Sequence, residues 1–261
     1  MSSPGSVNVP LLAPLIPDGI KPGTMLLVEF DPESQWLAVA STVAARFCET
    51  GHNVGYLAMS RTPARVRQNL MELGLDVPHA EKAGVLAIED WYSASLTGGR
   101  IDHSGRGTRL FELTETGLRV LSLKVADLSV EWYKSSKEGP QPLYDIVDFW
   151  PPGALIIVES FSTLLRFNEE RAFVEWMESR VNPAERERKS INIQGFVRGI
   201  HSDRLYRHME DASDGVIDVK VVEREEETKN LLRVRGLKGQ PHDTRWHEIV
   251  VRPNGEVTLA R

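Results

Sequence analysis

The segment from Met25 to Phe47 constrains the fold more than any other, because an apolar run is followed by a short polar loop and an amphipathic stretch. Residues 24–30 predict a buried strand, and residues 34–50 predict a helix that ends at Gly51. Nucleotide-binding proteins hold phosphate in a strand, loop and helix of this order. The segment therefore predicts an α/β sheet with a phosphate-loop position before the first helix.

The loop in this segment lacks the residues that bind a phosphate. A phosphate loop needs glycines that let backbone N–H groups turn inward, a lysine for the β- and γ-phosphates, and a hydroxyl for Mg²⁺. Here Asp31 and Glu33 would repel an anion, and the loop has neither glycine nor lysine. We therefore predict a degenerate phosphate-loop position, formed by Phe30, Asp31, Pro32, Glu33, Ser34, Gln35, Trp36 and Leu37.

Composition and length predict one globular domain over residues 1–261. The chain is 41% hydrophobic and 26% charged, and no linker divides it. Its formal net charge of −6 argues against nonspecific binding to nucleic acid or membranes. A single cysteine, Cys48, excludes an intramolecular disulfide framework. With neither a signal peptide nor an apolar run of about 18–20 residues, we expect a cytoplasmic protein with no membrane contact.

Strand and helix patterns alternate through the first part of the chain and change near its end. Strands are predicted at 53–59, 84–90, 154–158 and 190–197, and a helix at 63–73. This alternation is typical of a mainly parallel sheet flanked by helices. Short strands joined by polar turns then predict an antiparallel β-meander at 215–222, 230–235, 246–251 and 256–259. We expect a loose N-terminus at 1–14 and a flexible loop at 92–117.

Several local strings carry a resemblance to a known family. They are Asp18-Gly-Ile-Lys-Pro-Gly23, the stretch from Gly55 to Pro63, Ile157-Val-Glu-Ser160, the stretch from Asp211 to Ile217, and Leu232-Arg-Val-Arg-Gly236. In this order they resemble the RecA superfamily, in its KaiC-like branch that includes archaeal RadA-like proteins. The resemblance extends from about residue 15 to residue 261 and implies a RecA-like P-loop NTPase fold.

The departures from the family pattern affect the chemistry of the site. Trp36 and Leu37 stand at or next to the positions of the phosphate-binding lysine and the Mg²⁺-binding hydroxyl, and neither side chain can replace them. Ser60 and Arg61 occupy the positions of two catalytic acids, and Glu159 occupies the Walker B position. Phosphoryl transfer depends on positioning and charge neutralisation. We therefore expect a pseudo-ATPase with no catalytic residue, no metal site and no cofactor, acting as a regulatory or assembly subunit.

The resemblance also implies partners. Arg233 and Arg235 match positions from which family members reach the γ-phosphate held by a neighbouring subunit. They could act in trans within a homo-oligomer, or beside an ATP-competent RecA- or KaiC-like paralogue. The alternative is that they are exposed strand residues that pair with the acidic run 223–227.

Two other functions remain open at this point. The chain could bind ATP and Mg²⁺ through an atypical loop, as an ATPase or a regulator of recombination or signalling. It could instead be a DNA-binding accessory protein that uses the arginine-rich segment 98–109, with Arg100 and Arg106. The missing loop chemistry and the acidic net charge disfavour both.

Serine and histidine residues indicate no further site by pattern. Ser160 and Ser162 follow the apolar strand 154–158, but no G-x-S-x-G motif surrounds them. His201 and His208 lie seven residues apart in a charged stretch, which predicts that both are exposed to solvent.

Overall fold

The computed structural model describes residues 5–92, 109–114, 117–122, 151–166, 169–224 and 227–260. The strands are β1 (Met25–Phe30), β2 (Val54–Ala58), β3 (Leu86–Asp90), β4 (Arg109–Thr114), β5 (Gly117–Ser122), β6 (Leu155–Val158), β7 (Ile191–Val197), β8 (Gly215–Arg224), β9 (Glu227–Leu237), β10 (His247–Val251) and β11 (Val257–Leu259). The α-helices are α1 (Trp36–Glu49), α2 (Pro63–Glu72), α3 (Val77–Lys82), α4 (Glu170–Trp176), α5 (Asn182–Arg188) and α6 (Asp203–Ala212). A 3₁₀ helix spans Phe161–Arg166, and a π-helical turn, Met177–Val181, joins α4 to α5. None of the helices in these ranges is long and apolar enough to cross a membrane.

Across the described ranges, nine strands form one sheet in the order β11-β10-β9-β8-β1-β7-β6-β2-β3. Six neighbouring strands, β8, β1, β7, β6, β2 and β3, pair in parallel, and β1 lies between β8 and β7. The strands from β8 to β11 pair antiparallel, as a C-terminal run. The predicted fold class, a mainly parallel sheet with a terminal antiparallel meander, is confirmed.

Two apolar cores lie on the two faces of this sheet, because successive side chains of a strand point to opposite sides. On β1, Leu26 and Val28 belong to the core that α1, α2 and α3 cover. Met25 and Leu27 belong to the core that the 3₁₀ helix, α4 and α6 cover. All four side chains are buried, which explains why β1 begins with four consecutive apolar residues.

The loose N-terminus predicted at 1–14 is wrong for the residues that precede β1. Val9 and Leu12 are 1% and 2% exposed and belong to the core on the α1 face. The amide of Leu12 donates to the carbonyl of Val9 at 3.1 Å, so the segment turns and directs Leu12 toward Trp36. Apolar residues three positions apart produce this packing, whereas Pro10, which lies between them, suggests a loop.

The flexible loop predicted at 92–117 is wrong for Arg109–Thr114, which forms strand β4. β4 pairs antiparallel with β5, with Leu110 opposite Leu121 and Glu112 opposite Arg119. The rest of the predicted loop, 93–108, lies outside the described residues and includes Arg100 and Arg106.

Candidate functional site

The predicted phosphate-loop residues lie at the carboxyl end of the parallel strands. They follow β1, while Glu159 follows β6 and Arg61 follows β2, so the sheet brings these segments to the same edge. Open α/β sheets bind their ligands in the crevice outside this edge. The residues that fill the crevice therefore decide what the site can hold.

Trp36, the first residue of α1, occupies the centre of this edge. Its side chain is buried, with 2% of the residue exposed. The indole Nε1 donates a hydrogen bond of 2.7 Å to the backbone carbonyl of Glu159, and the ring lies 5.9 Å from that of Phe30. An indole has a single N–H donor, which is used here within the chain. The ring thus fills space between the ends of β1 and β6.

Gly195, in the middle of β7, makes room for the indole. A Cβ atom at this position would lie 2.1 Å from the carbonyl oxygen of Glu159 and 2.6 Å from Nε1 of Trp36. Such distances are far inside van der Waals contact, so any other residue would displace the hydrogen-bonded pair. Sequence analysis missed Gly195, although a glycine inside a strand often marks a close approach of this kind.

The carboxylate of Glu159, at the Walker B position, is fully buried and saturated with donors. Oε1 accepts from the Tyr56 hydroxyl at 2.9 Å and from Nε of Arg61 at 2.6 Å. Oε2 accepts from the amides of Met59 and Ser60 at 2.9 and 2.8 Å. A carboxylate offers about four lone-pair sites, and the contacts here use them within the protein.

Arg61 connects Glu159 to the start of α1. Its Nη2 lies 2.8 Å from the hydroxyls of both Ser41 and Tyr56, and donates to the carbonyl of Leu37 at 3.1 Å. Its side chain is 13% exposed. Burial, followed by the negative charge of Glu159, raises the pKa of Tyr56 above its ordinary value, so the phenol stays neutral and can donate. Trp36, Glu159, Arg61, Tyr56 and Ser41, which we call the Trp36–Arg61 network, form one internally paired unit.

The backbone amides of the loop are engaged by other parts of the chain. The amide of Asp31 donates to the carbonyl of Val219 at 3.1 Å, and that of Ser34 donates to the carbonyl of Asp31 at 2.9 Å. The amide of Gln35 donates to Oδ1 of Asn230 at 3.2 Å. Pro32 has no amide hydrogen. The loop is therefore tied to β8 and β9, and does not present these amides as an anion cradle.

The acidic residues of the loop lie apart from Glu159. Asp31 accepts a hydrogen bond from the amide of Val221 at 3.0 Å and lies 3.6 Å from Arg198, so it faces β8. Glu33 is exposed. Among the residues that the structure describes, no group of three or more His, Cys, Asp or Glu side chains is placed to hold a metal ion.

Arg233 and Arg235 lie on the opposite face of the sheet from Trp36, since their strand neighbours Leu232 and Val234 belong to the core on the α1 face. Nε of Arg233 is 2.7 Å from Asp218. Nη2 of Arg235 is 2.7 Å from both Glu29 and Glu210. Partners from β1, β8 and α6 thus contact both arginines.

Glu29 is the most perturbed acid of this second cluster. Burial raises its pKa, the neighbouring Glu210 carboxyl adds to the effect, and Arg235 opposes it, which leaves the pKa at about 6. The side chain is 6% exposed and also lies 3.5 Å from Arg198. The cluster contains both signs of charge in close contact, so its arginines are neutralised within the chain.

Comparison with known proteins supports the architecture. No known protein-family model matches the sequence. No curated protein matches it either. The crystal structure of the KaiC-like protein PH0186 from the hyperthermophilic archaeon Pyrococcus horikoshii OT3 superposes with a TM-score of 0.66 at 17% sequence identity, covering 98% of each chain. Together with the strand order and the parallel β1, this similarity shows that the chain has the fold of this KaiC-like protein.

Proposed function

We propose that this chain is a non-catalytic pseudo-ATPase of RecA/KaiC-like type that acts as a regulatory or assembly subunit. The observation that carries the proposal is the position of the Trp36 indole. The ring stands at the predicted phosphate-loop position, where it is buried in the core on the α1 face, and Nε1 donates to the backbone carbonyl of Glu159 at 2.7 Å. A triphosphate would have to displace a buried ring and break this bond.

The residues of the site do not fit Mg·ATP. The loop offers no lysine, and the amides of Asp31, Ser34 and Gln35 already donate to groups of the chain. Its charged side chains, Asp31 and Glu33, are negative. A phosphate placed here would gain little hydrogen bonding and would be repelled, so binding is disfavoured on both counts.

The Walker B position does not fit a hydrolytic role either. A carboxylate that acts on a metal-bound water needs an open lone pair directed at that water. The carboxylate of Glu159 instead accepts from two side chains and two amides, and Arg61 neutralises its charge at 2.6 Å. Glu159 therefore supports the structure of the site, and we assign no step of hydrolysis to it.

Nucleotide titration followed by thermal unfolding tests the proposal. A ligand at 100 times its Kd stabilises the folded state by about 2.7 kcal/mol, which for a chain of this size corresponds to roughly 5 to 11 °C in Tm. We expect no shift with millimolar Mg·ATP or Mg·ADP. A shift of several degrees would support the atypical ATP-binding alternative in place of this proposal.

Phosphate release provides the second measurement. We expect none from the wild-type chain or from the Glu159→Gln variant purified in the same way. A contaminating ATPase would give equal rates in both preparations, so the variant is a matched control. Release by the wild type that the substitution abolishes would overturn the proposal.

A subunit role requires an assembly, either of this chain with itself or with an ATP-competent RecA- or KaiC-like paralogue. Light scattering after size exclusion tests the first, and the ATPase rate of a copurified partner tests the second. Arg233 and Arg235 would reach a neighbouring γ-phosphate only by leaving Asp218, Glu29 and Glu210. Their role in trans stays a prediction, and an unchanged partner rate with both arginines replaced by alanine would refute it.

DNA binding and a cytoplasmic location also stay predictions. Salt-sensitive retardation of single-stranded DNA would support the DNA-binding accessory alternative, since neutralised phosphates release counterions. Nearly all of the arginine-rich segment on which that alternative depends, 98–109, lies outside the described residues.

A further inference from the structure

Three side chains that sequence analysis kept apart meet on the α4 face of the sheet. Ser162 lies in the 3₁₀ helix after β6, His201 follows β7, and Glu170 is the first residue of α4. Nε2 of His201 is 2.7 Å from Oγ of Ser162, and Nδ1 of His201 is 3.9 Å from Oε1 of Glu170. The prediction that His201 is exposed is wrong, since its side chain is 8% exposed.

The contacts around Ser162 allow its hydroxyl to donate to His201. Oγ accepts from the amide of Val197 at 3.0 Å and lies 2.7 Å from Nε2 of His201. A hydroxyl has one donor and two acceptor positions, so both contacts can form together. In the tautomer of the imidazole that carries its hydrogen on Nδ1, Nε2 accepts the hydroxyl hydrogen of Ser162.

Glu170 favours the tautomer with hydrogen on Nδ1, and two rings orient the imidazole. Ser202 fixes the carboxylate of Glu170: its amide donates to Oε1 at 2.9 Å and its hydroxyl contacts Oε2. A negative charge beside Nδ1 stabilises a hydrogen there and the imidazolium that forms when Nε2 takes a proton. The rings of Phe196 and Tyr206 lie 6.1 and 6.0 Å from the imidazole and hold its orientation.

We propose that Ser162, His201 and Glu170 form a nucleophile, base and positioning residue that hydrolyse small acyl esters. Oγ of Ser162 attacks the ester carbonyl carbon and forms an acyl–oxygen bond, while its proton passes to Nε2 of His201. The ester C–O bond breaks, and the leaving alcohol takes that proton. Water then attacks the acyl-serine, giving its proton to Nε2 and from there to the released Oγ, and the carboxylic acid leaves.

Burial limits the substrate class. Ser162 is 4% exposed, so a bulky acyl group cannot approach without movement of the chain. The neighbouring Ile200 is 57% exposed, which places the histidine directly beneath the surface. We therefore expect hydrolysis of acetyl and propionyl esters to be faster than that of long-chain or peptide substrates. This activity does not use the Trp36–Arg61 network, which lies on the other face of the sheet.

Labelling with a small dialkyl fluorophosphate and hydrolysis of p-nitrophenyl acetate test the proposal. We expect stoichiometric labelling of the wild type, and loss of labelling and of hydrolysis in Ser162→Ala. Ser160→Ala is the matched control, since Oγ of Ser160 is buried with no hydrogen-bond partner in the described structure. His201→Gln keeps the hydroxyl, and we expect its rate to fall at least 100-fold.

The pH dependence separates catalysis from a structural hydrogen bond. Burial lowers the pKa of His201 below 6.5 and Glu170 opposes this shift, so the rate should rise with pH to a plateau by neutrality. Glu170→Gln should move the inflection to lower pH, which a structural role would not do. A folded wild-type chain that takes no probe, or a Ser162→Ala or His201→Gln variant with unchanged hydrolysis, would overturn the proposal.

Discussion

Replacing Arg61 with methionine tests whether the Trp36–Arg61 network stabilises the fold. The substitution keeps much of the side-chain length but removes the cation that lies 2.6 Å from the buried carboxylate of Glu159. In an active ATPase the corresponding region serves catalysis. Here we expect the change to act on the free energy of unfolding.

The magnitude follows from the burial of the pair. Glu159 has 0% of its side chain exposed and Arg61 has 13%. Removing one partner of a buried ion pair costs about 3–5 kcal/mol, because an uncompensated charge stays behind. The donors Tyr56, Met59 and Ser60 remain, so we expect about 3 kcal/mol. For a chain of this size that corresponds to roughly 6 to 12 °C in Tm.

Urea unfolding of five chains measures the effect: the wild type, Arg61→Met, Glu159→Gln, the double variant and a control. Arg65→Met is the matched control, since Arg65 is exposed on α2 and should change stability by less than about 0.5 kcal/mol. Adding Glu159→Gln to Arg61→Met removes the stranded charge and should recover part of the loss, with a coupling energy above about 1 kcal/mol. If Arg61→Met costs less than 1 kcal/mol, or the two changes simply add, the reasoning is refuted.

Three further predictions concern packing, pH and reactivity. Gly195→Ala should lower the free energy of unfolding by about 1–3 kcal/mol. It should also shift the fluorescence of Trp36, because the added Cβ would lie 2.6 Å from the indole nitrogen; an unchanged spectrum and stability would contradict this. The pKa of Glu29 is raised from 4.5 to about 6, so the folded state binds the proton more tightly. The contribution of Glu29 to the free energy of unfolding should therefore be fully present below pH 4.5. It should decrease by about 2 kcal/mol as the pH rises through 6. Glu29→Gln should remove that slope in urea titrations at several pH values, and a slope that persists would assign it to another group. Cys48 is 6% exposed and burial raises its pKa to about 12, so the native chain should react with a thiol reagent far more slowly than the urea-unfolded chain; equal rates would show that the thiol is accessible.

Local patterns predicted most of the regular elements. Helix α1 was expected at 34–50 and spans Trp36–Glu49, and strand β2 was expected at 53–59 and spans Val54–Ala58. Apolar periodicity, and the glycine that follows a helix, predict the bounds of such elements because both signals depend only on neighbouring residues. Helix α3 was missed because it has only six residues. Helix α6 was missed because most of its residues are polar or charged, although Leu205 and Met209 lie on one face and are buried.

The sequence by itself determined the α/β class and the lack of glycine and lysine in the loop after β1, because both depend on residue types and on spacing along a short stretch of chain. Only the tertiary structure decided which side chains meet at this edge of the sheet. The ion pair of Arg61 and Glu159 joins residues 98 positions apart, and the bond from Trp36 to Glu159 spans 123 positions. Contacts over such separations depend on the parallel order of β1, β7, β6 and β2. No local pattern specifies that order. The pairing of Arg61 with the buried carboxylate of Glu159 therefore becomes evident only in the folded chain.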